Sequence, residues 1–260
     1  MNILVTAGPT REHLDPIRFL SNRSTGKMGF AIAQAAAERG HTVTLIAGPV
    51  SLATPPHVTR VDVVSACDML AAVQQALPQQ DALVMSAAVA DFRPAYRADA
   101  KLKKRDMDPI IHLEPNPDIL TTIAPLKGTR IFVGFAAETG DPIAEAQRKL
   151  VSKGLDMIVA NDVTAEGAGF AVDTNRVTFI TANEQPRALP LQSKLAVGQA
   201  IIEWFEAHRR PPALRPAPGR TPRHRSADAA LREVESRPAS ANCWRRPVQK
   251  SCVRPAQPSR

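Results

Sequence analysis

The sequence predicts an α/β fold in which helices cover both faces of a mainly parallel, Rossmann-like sheet. The first observation behind this prediction is that short apolar runs alternate with longer segments whose apolar residues recur at helical spacing. The second is that strands joined through helices run parallel, because each crossover helix returns the chain to the same edge of the sheet. A length of 260 residues suits one such domain with an additional segment.

The predicted elements follow one another along the first 207 residues. The chain opens on the apolar run 3–5, and the next helix is predicted from about Thr25 to Arg39, with Gly40 ending it. Further strands are predicted at 42–47, 58–63, 81–86, 131–135, 156–160 and 176–181. Further helices are predicted at 66–77, 117–124, 142–153 and 193–207.

Residues 208–260 differ in composition from the rest of the chain. They hold 13 of the 33 lysines and arginines and 9 of the 23 prolines, but only 3 of the 25 acidic residues. The net charge of +8 therefore comes from this segment, and residues 1–207 are close to neutral. Such a segment lacks the apolar surface needed to offset its ordering entropy. We expect one folded domain at 1–207 and a disordered, Arg/Pro-rich tail at 208–260.

Composition also excludes several classes of protein. No stretch of 18 apolar residues exists and no signal pattern opens the chain, so we expect a cytoplasmic protein with no membrane partner. The near-neutral body and the single tyrosine argue against a nucleic-acid partner. The three cysteines are too few and too scattered for a paired-thiolate zinc site, and no protein metal site is predicted.

The segment 7–29 joins the first predicted strand to its helix and is too long for a dinucleotide turn. It lacks both the G-x-G-x-x-G and the P-loop patterns. What remains is a helix start rich in Ser, Thr and Gly, whose free N–H groups can hold a phosphate. The alternative is a plain helix cap, in which Ser24 or Thr25 bonds the first turn while Gly26 and Gly29 allow close helix–sheet packing.

Two further segments combine small residues with charge. In 86–94, small residues allow a ligand close to the backbone, and Asp91 suits a ribose hydroxyl, a base amine or a metal. A packing turn capped by Asp91 is the alternative. Four of the five residues at 101–105 are cationic, which is typical of a solvated face. If residues 96–108 form a lid, one of these lysines could neutralise charge during attack on a polyphosphate.

The remaining candidate segments are 116–120, 134–139 and 161–163. Each is predicted to place an amide or an acid at a strand end or a helix start, where an ordinary cap or turn is the simple interpretation. Their coincidence on one edge of one sheet favours a site. Lys149 and Lys153 lie four residues apart on a predicted helix and therefore share a face.

Six motifs occur in one order along the chain: NRSTGKMG at 22–29, AAVADFRP at 87–94, KLKK at 101–104, NPDI at 116–119, VGFAAET at 133–139 and NDV at 161–163. Together they resemble the phosphopantothenoylcysteine synthetase family over about residues 1–207. In bacteria this is the synthetase half of a bifunctional coenzyme A biosynthesis protein. The tail has no counterpart in this resemblance.

The resemblance implies a ligase that joins 4′-phosphopantothenate to L-cysteine in coenzyme A biosynthesis. Its members activate the substrate carboxylate as an acyl-nucleotide, with CTP in most bacteria and ATP in eukaryotes, and release pyrophosphate and then the nucleoside monophosphate. We expect CTP rather than ATP here. Mg²⁺ is expected to screen the triphosphate, held mostly by the nucleotide.

The resemblance also implies particular site residues. Carried over by motif, the nucleotide contacts are Met85, Ser86, Ala87, Asp91, Lys101, Pro117, Asp118, Ile119, Leu120, Phe135, Lys149 and Lys153. The contacts to phosphate and substrate are Asn22, Ser24, Gly26 and Ala88. Asn22 and Lys101 are the implied catalytic residues.

The resemblance implies partners as well. Family members form homodimers, so a homodimer is expected. Bacterial relatives usually follow a flavin-dependent decarboxylase, whereas Met1 stands directly before the first strand here. We therefore expect that the decarboxylase is encoded separately or that this chain is a truncated or alternatively started product, and we expect no FMN to bind.

Two other functions remain open on the residues alone. An NAD(P)- or flavin-dependent oxidoreductase suits the same fold, although the missing glycine fingerprint argues against it. The tail could contact a polyanion non-specifically, although a solvated extension is the simpler interpretation of its composition.

Overall fold

The computed structural model describes residues 1–106, 109–138, 143–162, 164 and 167–208. The predicted tail lies outside the described residues, apart from His208. Thr139 and Val163, which belong to two of the candidate segments, also lie outside them.

The described chain contains fourteen strands and five α-helices. The strands are β1 (Asn2–Ala7), β2 (Arg11–His13), β3 (Phe19–Ser21), β4 (Thr42–Ala47), β5 (Val58–Asp62), β6 (Ala82–Met85), β7 (Phe92–Pro94), β8 (Leu113–Pro115), β9 (Ile131–Glu138), β10 (Met157–Asp162), β11 (Thr174–Asn175), β12 (Thr178–Thr181), β13 (Arg187–Ala188) and β14 (Gln192–Ser193). The helices are α1 (Lys27–Glu38), α2 (Ala66–Ala76), α3 (Ile119–Ile123), α4 (Ile143–Ser152) and α5 (Lys194–Ala207). Short 3₁₀ turns lie at Leu77–Gln79, Lys104–Asp106 and Ala124–Leu126.

Eight strands form one sheet in the order β13-β12-β10-β9-β6-β1-β4-β5. The six strands from β10 to β5 run parallel to one another, while β12 and β13 add an antiparallel edge. The parallel strands thus follow the order of a Rossmann sheet, and the direction of winding reverses between β1 and β6. The predicted fold class is confirmed.

Helices cover both faces of this sheet because strand side chains alternate between them. On β1, Ile3 and Val5 belong to the cluster that contains the buried residues of α1 and α5. Leu4 belongs to the opposite cluster, together with buried residues of α2, α3 and α4. In the part of the chain that the structure describes, no helix is long and apolar enough to cross a membrane.

Several predicted boundaries are corrected by the structure. β9 continues to Glu138 and β10 to Asp162, where the sequence predicted loops after residues 135 and 160. The two strand ends pair with each other, Ala137 with Asn161. Backbone pairing therefore extends both strands beyond their apolar runs. The sequence also did not predict the hairpins β2–β3 and β7–β8, whose strands have only three residues each.

Candidate functional site

A cavity of about 700 Å³ opens at the carboxyl ends of the parallel strands, beside the point where the winding reverses. The chain segments that form it are distant in sequence, because β1, β6, β9 and β10 all end at this edge. Its lining includes every predicted site residue except Lys101: Asn22, Ser24, Gly26, Met85, Ser86, Ala87, Ala88, Asp91, Pro117, Asp118, Ile119, Leu120, Phe135, Lys149 and Lys153.

The first side of the cavity is the start of α1. This helix begins at Lys27, with Gly26 at the N-cap position in a left-handed conformation (φ +80°) and no side-chain cap. The alternative in which Ser24 or Thr25 caps the first turn is therefore wrong. A side chain at residue 26 would be strained at that φ, which glycine adopts freely. The Thr25 hydroxyl instead donates to the carbonyl oxygen of Phe170 at 2.8 Å.

The predicted close packing of α1 on the sheet is confirmed at Gly29. A Cβ atom at this residue would lie 2.5 Å from Ala7 Cβ and 2.9 Å from the carbonyl oxygen of Thr6. Only glycine therefore allows the helix to approach the end of β1 this closely. This approach brings the start of α1 to the strand edge that lines the cavity.

The second side is the loop that follows β6, and buried threonines of the first segment hold its backbone. Thr6 Oγ1 accepts from the N–H of Ala87 at 3.2 Å, and Thr10 Oγ1 accepts from the N–H of Ala90 at 3.0 Å. Both threonines are fully buried. Sequence reasoning missed them, although a threonine inside the apolar run of β1 was a usable signal.

Two amide side chains complete this support. Asn22 Nδ2 donates to the carbonyl oxygen of Ala88 at 3.0 Å, and Asn116 Nδ2 donates to that of Ala90 at 2.8 Å. The loop is thus held from both sides, with its small residues facing the cavity. Asp91 is exposed and lines the cavity.

The third side is formed by α3 and α4, which an ion pair joins. Asp118 caps α3 by accepting from the N–H of Thr121 at 2.8 Å, so the simple cap interpretation is confirmed for this residue. Its carboxylate also pairs with Lys153. Burial acts to raise the pKa of Asp118, but the hydrogen bonds from Lys153 and Thr121 outweigh it and hold that pKa below its usual value. Lys149 lies one turn before Lys153 and pairs with Glu145 at 3.7 Å.

The structure places Lys101 outside this lining, in an exposed segment. That segment is tied to the turn between β2 and β3. Asp15 Oδ2 accepts from the N–H of Leu102 at 3.2 Å, and Arg18 Nη2 donates to the carbonyl oxygen of Leu102 at 2.9 Å. The neighbouring cations Lys103 and Lys104 are exposed too.

Lys27 and Asn161 also line the cavity; both lie in the candidate segments, but sequence reasoning assigned neither a specific role. Phe170, Asn175 and Lys194 line it as well and were missed, because no motif contains them. Lys194 is 6 % exposed, and burial together with the nearby charge of Lys27 lowers its pKa. Lys27 pairs with Asp173 at 2.7 Å, which lowers the pKa of that carboxyl. Asn161 is buried and reaches the carbonyl oxygen of Ala168 at 3.5 Å.

The chemistry of the cavity is that of an anion site with one apolar wall. Four lysines line it, namely Lys27, Lys149, Lys153 and Lys194. Three of these lysines pair with carboxylates, Lys27 with Asp173, Lys149 with Glu145 and Lys153 with Asp118. Arg23 adds a fifth cation to the described lining, and Asp91 is its second aspartate. An excess of cations beside exposed backbone suits a ligand with several phosphate oxygens. The fold and the cavity together define a Rossmann-like α/β protein with a cation-lined cavity at the point where the winding of its sheet reverses.

Comparison with known proteins assigns the family. Residues 1–208 match the model of the DNA/pantothenate metabolism flavoprotein C-terminal domain, and the chain belongs to this family. It is 48 % identical over 207 residues to the coenzyme A biosynthesis bifunctional protein CoaBC of Escherichia coli K12, covering 78 % of this chain and 51 % of the relative. The CoaBC of Bacillus subtilis is 47 % identical over 207 residues, covering 79 % of this chain and 51 % of the relative.

Solved structures agree with this assignment. The C-terminal domain of a CoaBC superposes with a TM-score of 0.68 at 42 % identity, covering 79 % of this chain and 94 % of that one. A DNA/pantothenate metabolism flavoprotein from Streptococcus pneumoniae gives a TM-score of 0.70 at 25 % identity, covering 80 % of this chain and 99 % of that one. The resemblance to the synthetase half of the bifunctional protein is thereby confirmed. The chain spans about half the length of the curated relatives it matches.

Proposed function

We propose that this chain is a phosphopantothenate–cysteine ligase that uses CTP. The observation that carries the proposal is the convergence of fifteen predicted site residues from five separate segments on one cation-lined cavity. The relatives, named for coenzyme A biosynthesis, support a role in the same pathway. The oxidoreductase alternative is not favoured, because this chain lacks the glycine fingerprint and its relatives are named for coenzyme A biosynthesis.

In the first half-reaction, a carboxylate oxygen of 4′-phosphopantothenate attacks the α-phosphorus of CTP and pyrophosphate leaves. Both partners are anions, so their approach depends on nearby cations and N–H donors. Lys149 and Lys153 lie on one side of the cavity, and Ser24 and Gly26 lie on the other. We assign the lysines to the nucleotide and the Ser24–Gly26 backbone to the phosphate or the substrate.

In the second half-reaction, the amine of cysteine attacks the acyl carbonyl, an amide forms and CMP leaves. We assign Asn22 to this step, because its amide lies on the cavity rim beside Ala88. No covalent bond to the protein is required. In the proposed reaction the cavity residues bind and orient the substrates and exclude water from them.

Magnesium supplies charge screening of the triphosphate in this proposal. Among the described side chains, no group of three or more His, Cys, Asp or Glu residues is arranged to hold a metal ion. The proposed carrier of Mg²⁺ is therefore the nucleotide itself, and Asp91 is one of the two described carboxylates that line the cavity.

We also propose that the chain forms a homodimer through the hairpin β7–β8 and its flanks. Three large apolar side chains project there: Phe92 is 53 % exposed, Tyr96 57 % and Ile110 63 %. Exposed apolar residues clustered on one hairpin are typical of an interface. Light scattering should give the mass of a dimer, and Tyr96→Ser with Ile110→Ser should give a monomer. A wild-type monomer at micromolar concentration would refute this part.

The ligase proposal is tested by following pyrophosphate and amide with 4′-phosphopantothenate, cysteine and each nucleoside triphosphate in parallel. We expect both products with CTP, less with ATP, and no pyrophosphate without phosphopantothenate. Lys153→Gln should raise the KM for CTP, whereas Lys127→Gln, a lysine that pairs with Asp156 outside the cavity, should leave it unchanged. No pyrophosphate with any nucleotide would refute the ligase, and a bound flavin or oxidation of NADPH would favour the oxidoreductase.

A further inference from the structure

Residues 169–173, which we call the strap, form one wall of the cavity between the starts of α1 and α5. Gly169 and Phe170 of the strap line the cavity. The strap is a run of bends with no helix or strand of its own. Its shape therefore depends on contacts from the rest of the fold.

Lys194 provides most of these contacts. Its ammonium donates to the carbonyl oxygens of Gly169 at 3.1 Å, of Phe170 at 3.4 Å, and of Val172. Its backbone N–H donates to the carbonyl oxygen of Asp173 at 2.8 Å. An ammonium has three N–H donors, and three strap carbonyls accept from this one. Lys194 thus holds four of the five strap residues while it is itself buried.

The start of α1 holds the strap from the other side. Lys27 Nζ donates to the carbonyl oxygen of Ala171 at 2.8 Å and pairs with Asp173. The Thr25 hydroxyl donates to the carbonyl oxygen of Phe170. Because α1 and α5 pack against each other in one core cluster, the strap is fixed to a rigid pair of helices.

The burial of Lys194 is costly unless its ammonium is hydrogen-bonded, because a charge loses its hydration there. The lowered pKa reflects that cost. An apolar side chain at the start of α5 would pack there without the cost of burying a charge. The strap carbonyls are the groups that accept hydrogen bonds from this buried ammonium.

We propose that Lys194 is a positioning residue that fixes the strap as a cavity wall, and that the strap thereby places Phe170 where its ring shields the acyl-nucleotide from water. This inference rests on the proposed ligase function. Water attack on the acyl carbonyl would return phosphopantothenate and CMP, so that pyrophosphate is released without an amide. Phe170 is 38 % exposed and presents an apolar surface at this wall, which suits the exclusion of water.

The test compares the ratio of pyrophosphate to amide in the wild type and in Lys194→Met. Methionine keeps an unbranched apolar stem up to Cε but removes the ammonium. We expect a ratio near one for the wild type and a several-fold higher ratio for the variant. Hydrogen exchange should also become about tenfold faster in residues 168–175, because charge-assisted hydrogen bonds to the strap are lost. Lys127→Met is the matched control. The Lys127 ammonium also donates to a backbone carbonyl, that of Gly154, but this contact lies outside the cavity.

Phe170→Ala separates shielding from positioning. We expect it to raise the ratio of pyrophosphate to amide while the core exchanges as in the wild type. The double variant with Lys194→Met should add little further, because both changes act through the same ring. If Lys194→Met does not fold, two other variants still test the proposal. Lys194→Arg keeps the charge, and Phe170→Ala removes the ring.

An unchanged product ratio in Phe170→Ala would overturn the shielding role. Unchanged exchange of the strap in Lys194→Met would overturn the positioning role. Absence of ligase activity in the wild type would instead refute the proposed function, and the exchange measurement would still decide whether Lys194 holds the strap.

Discussion

Asn22 lies four residues before Gly26, so its amide has no part in capping α1. It instead donates to the carbonyl oxygen of Ala88 across the rim of the cavity. A cap and a substrate contact would use the same amide atoms. The position of the helix start decides against the cap.

We expect Asn22→Asp to stall the second half-reaction. The change replaces an N–H donor with an anion beside other anions, so pyrophosphate should still form while the rate of amide formation falls on the order of 10²-fold. An acyl-nucleotide should accumulate in mass spectra of the quenched mixture. Gln80→Glu is the control, because Gln80 also donates its amide to a carbonyl, that of Ala76 at 3.3 Å, outside the cavity. Normal amide formation by Asn22→Asp would remove this residue from the mechanism.

We expect Lys101→Gln to lower turnover more than the affinity for CTP. A lysine that approaches only as negative charge builds in the transition state affects kcat rather than ground-state binding. The exposed position of Lys101 outside the cavity lining agrees with such late engagement. Initial rates at varied CTP concentration give kcat and KM separately, and Lys103→Gln is the control. An increase in the KM for CTP at unchanged kcat would make Lys101 a ground-state ligand.

At the scale of elements, the turn between β2 and β3 is organised by one buried carboxylate. Asp15 accepts from the N–H groups of Ile17 and Arg18 at 2.8 Å and from the Arg18 guanidinium at 2.6 Å. It also accepts from the N–H of Leu102. The Arg18 side chain, followed by these backbone donors, holds the pKa of Asp15 well below its usual value. The turn and the Lys101 segment therefore share one anchor.

Because the pKa of Asp15 is lowered in the folded state, its stabilising effect is present above the unfolded pKa of about 3.9 and is lost as the pH falls below it. We expect Asp15→Asn to be less stable than the wild type at pH 7, and the difference to shrink below about pH 4. Urea unfolding between pH 3 and pH 7 measures this. Asp62→Asn removes an exposed pair with Arg60 and should change little. A pH-independent difference would show that the carboxylate charge is not what holds the turn.

The ends of β9 and β10 show why the predicted strand bounds were too short. Apolar runs mark where a strand is buried, and the predicted strands stopped where those runs stop. Backbone pairing between Ala137 and Asn161 carries both strands further. Such pairing joins residues that are distant in sequence, so no local pattern reports it.

At the scale of the whole molecule, we expect truncation after His208 to leave the fold and turnover nearly unchanged. Residues 1–208 contain the whole family match and every lining residue of the cavity. The composition of 208–260 offers no periodic apolar face that could dock on the domain. Thermal unfolding and pyrophosphate release of the two forms measure this. A drop of several degrees in the midpoint, or loss of most activity, would show that the tail contributes to the fold.

The sequence by itself determined the α/β class, the Rossmann-like winding and the motif residues that meet at one edge. Hydrophobic periodicity and motif spacing are local properties, and local properties can be read along a chain. Only the tertiary structure decided that Thr6 and Thr10 hold the loop after β6, that Lys194 and Phe170 form a cavity wall, and that Lys101 stands apart. Each of these depends on contacts between residues far apart in sequence, which exist only once the helices have packed on the sheet.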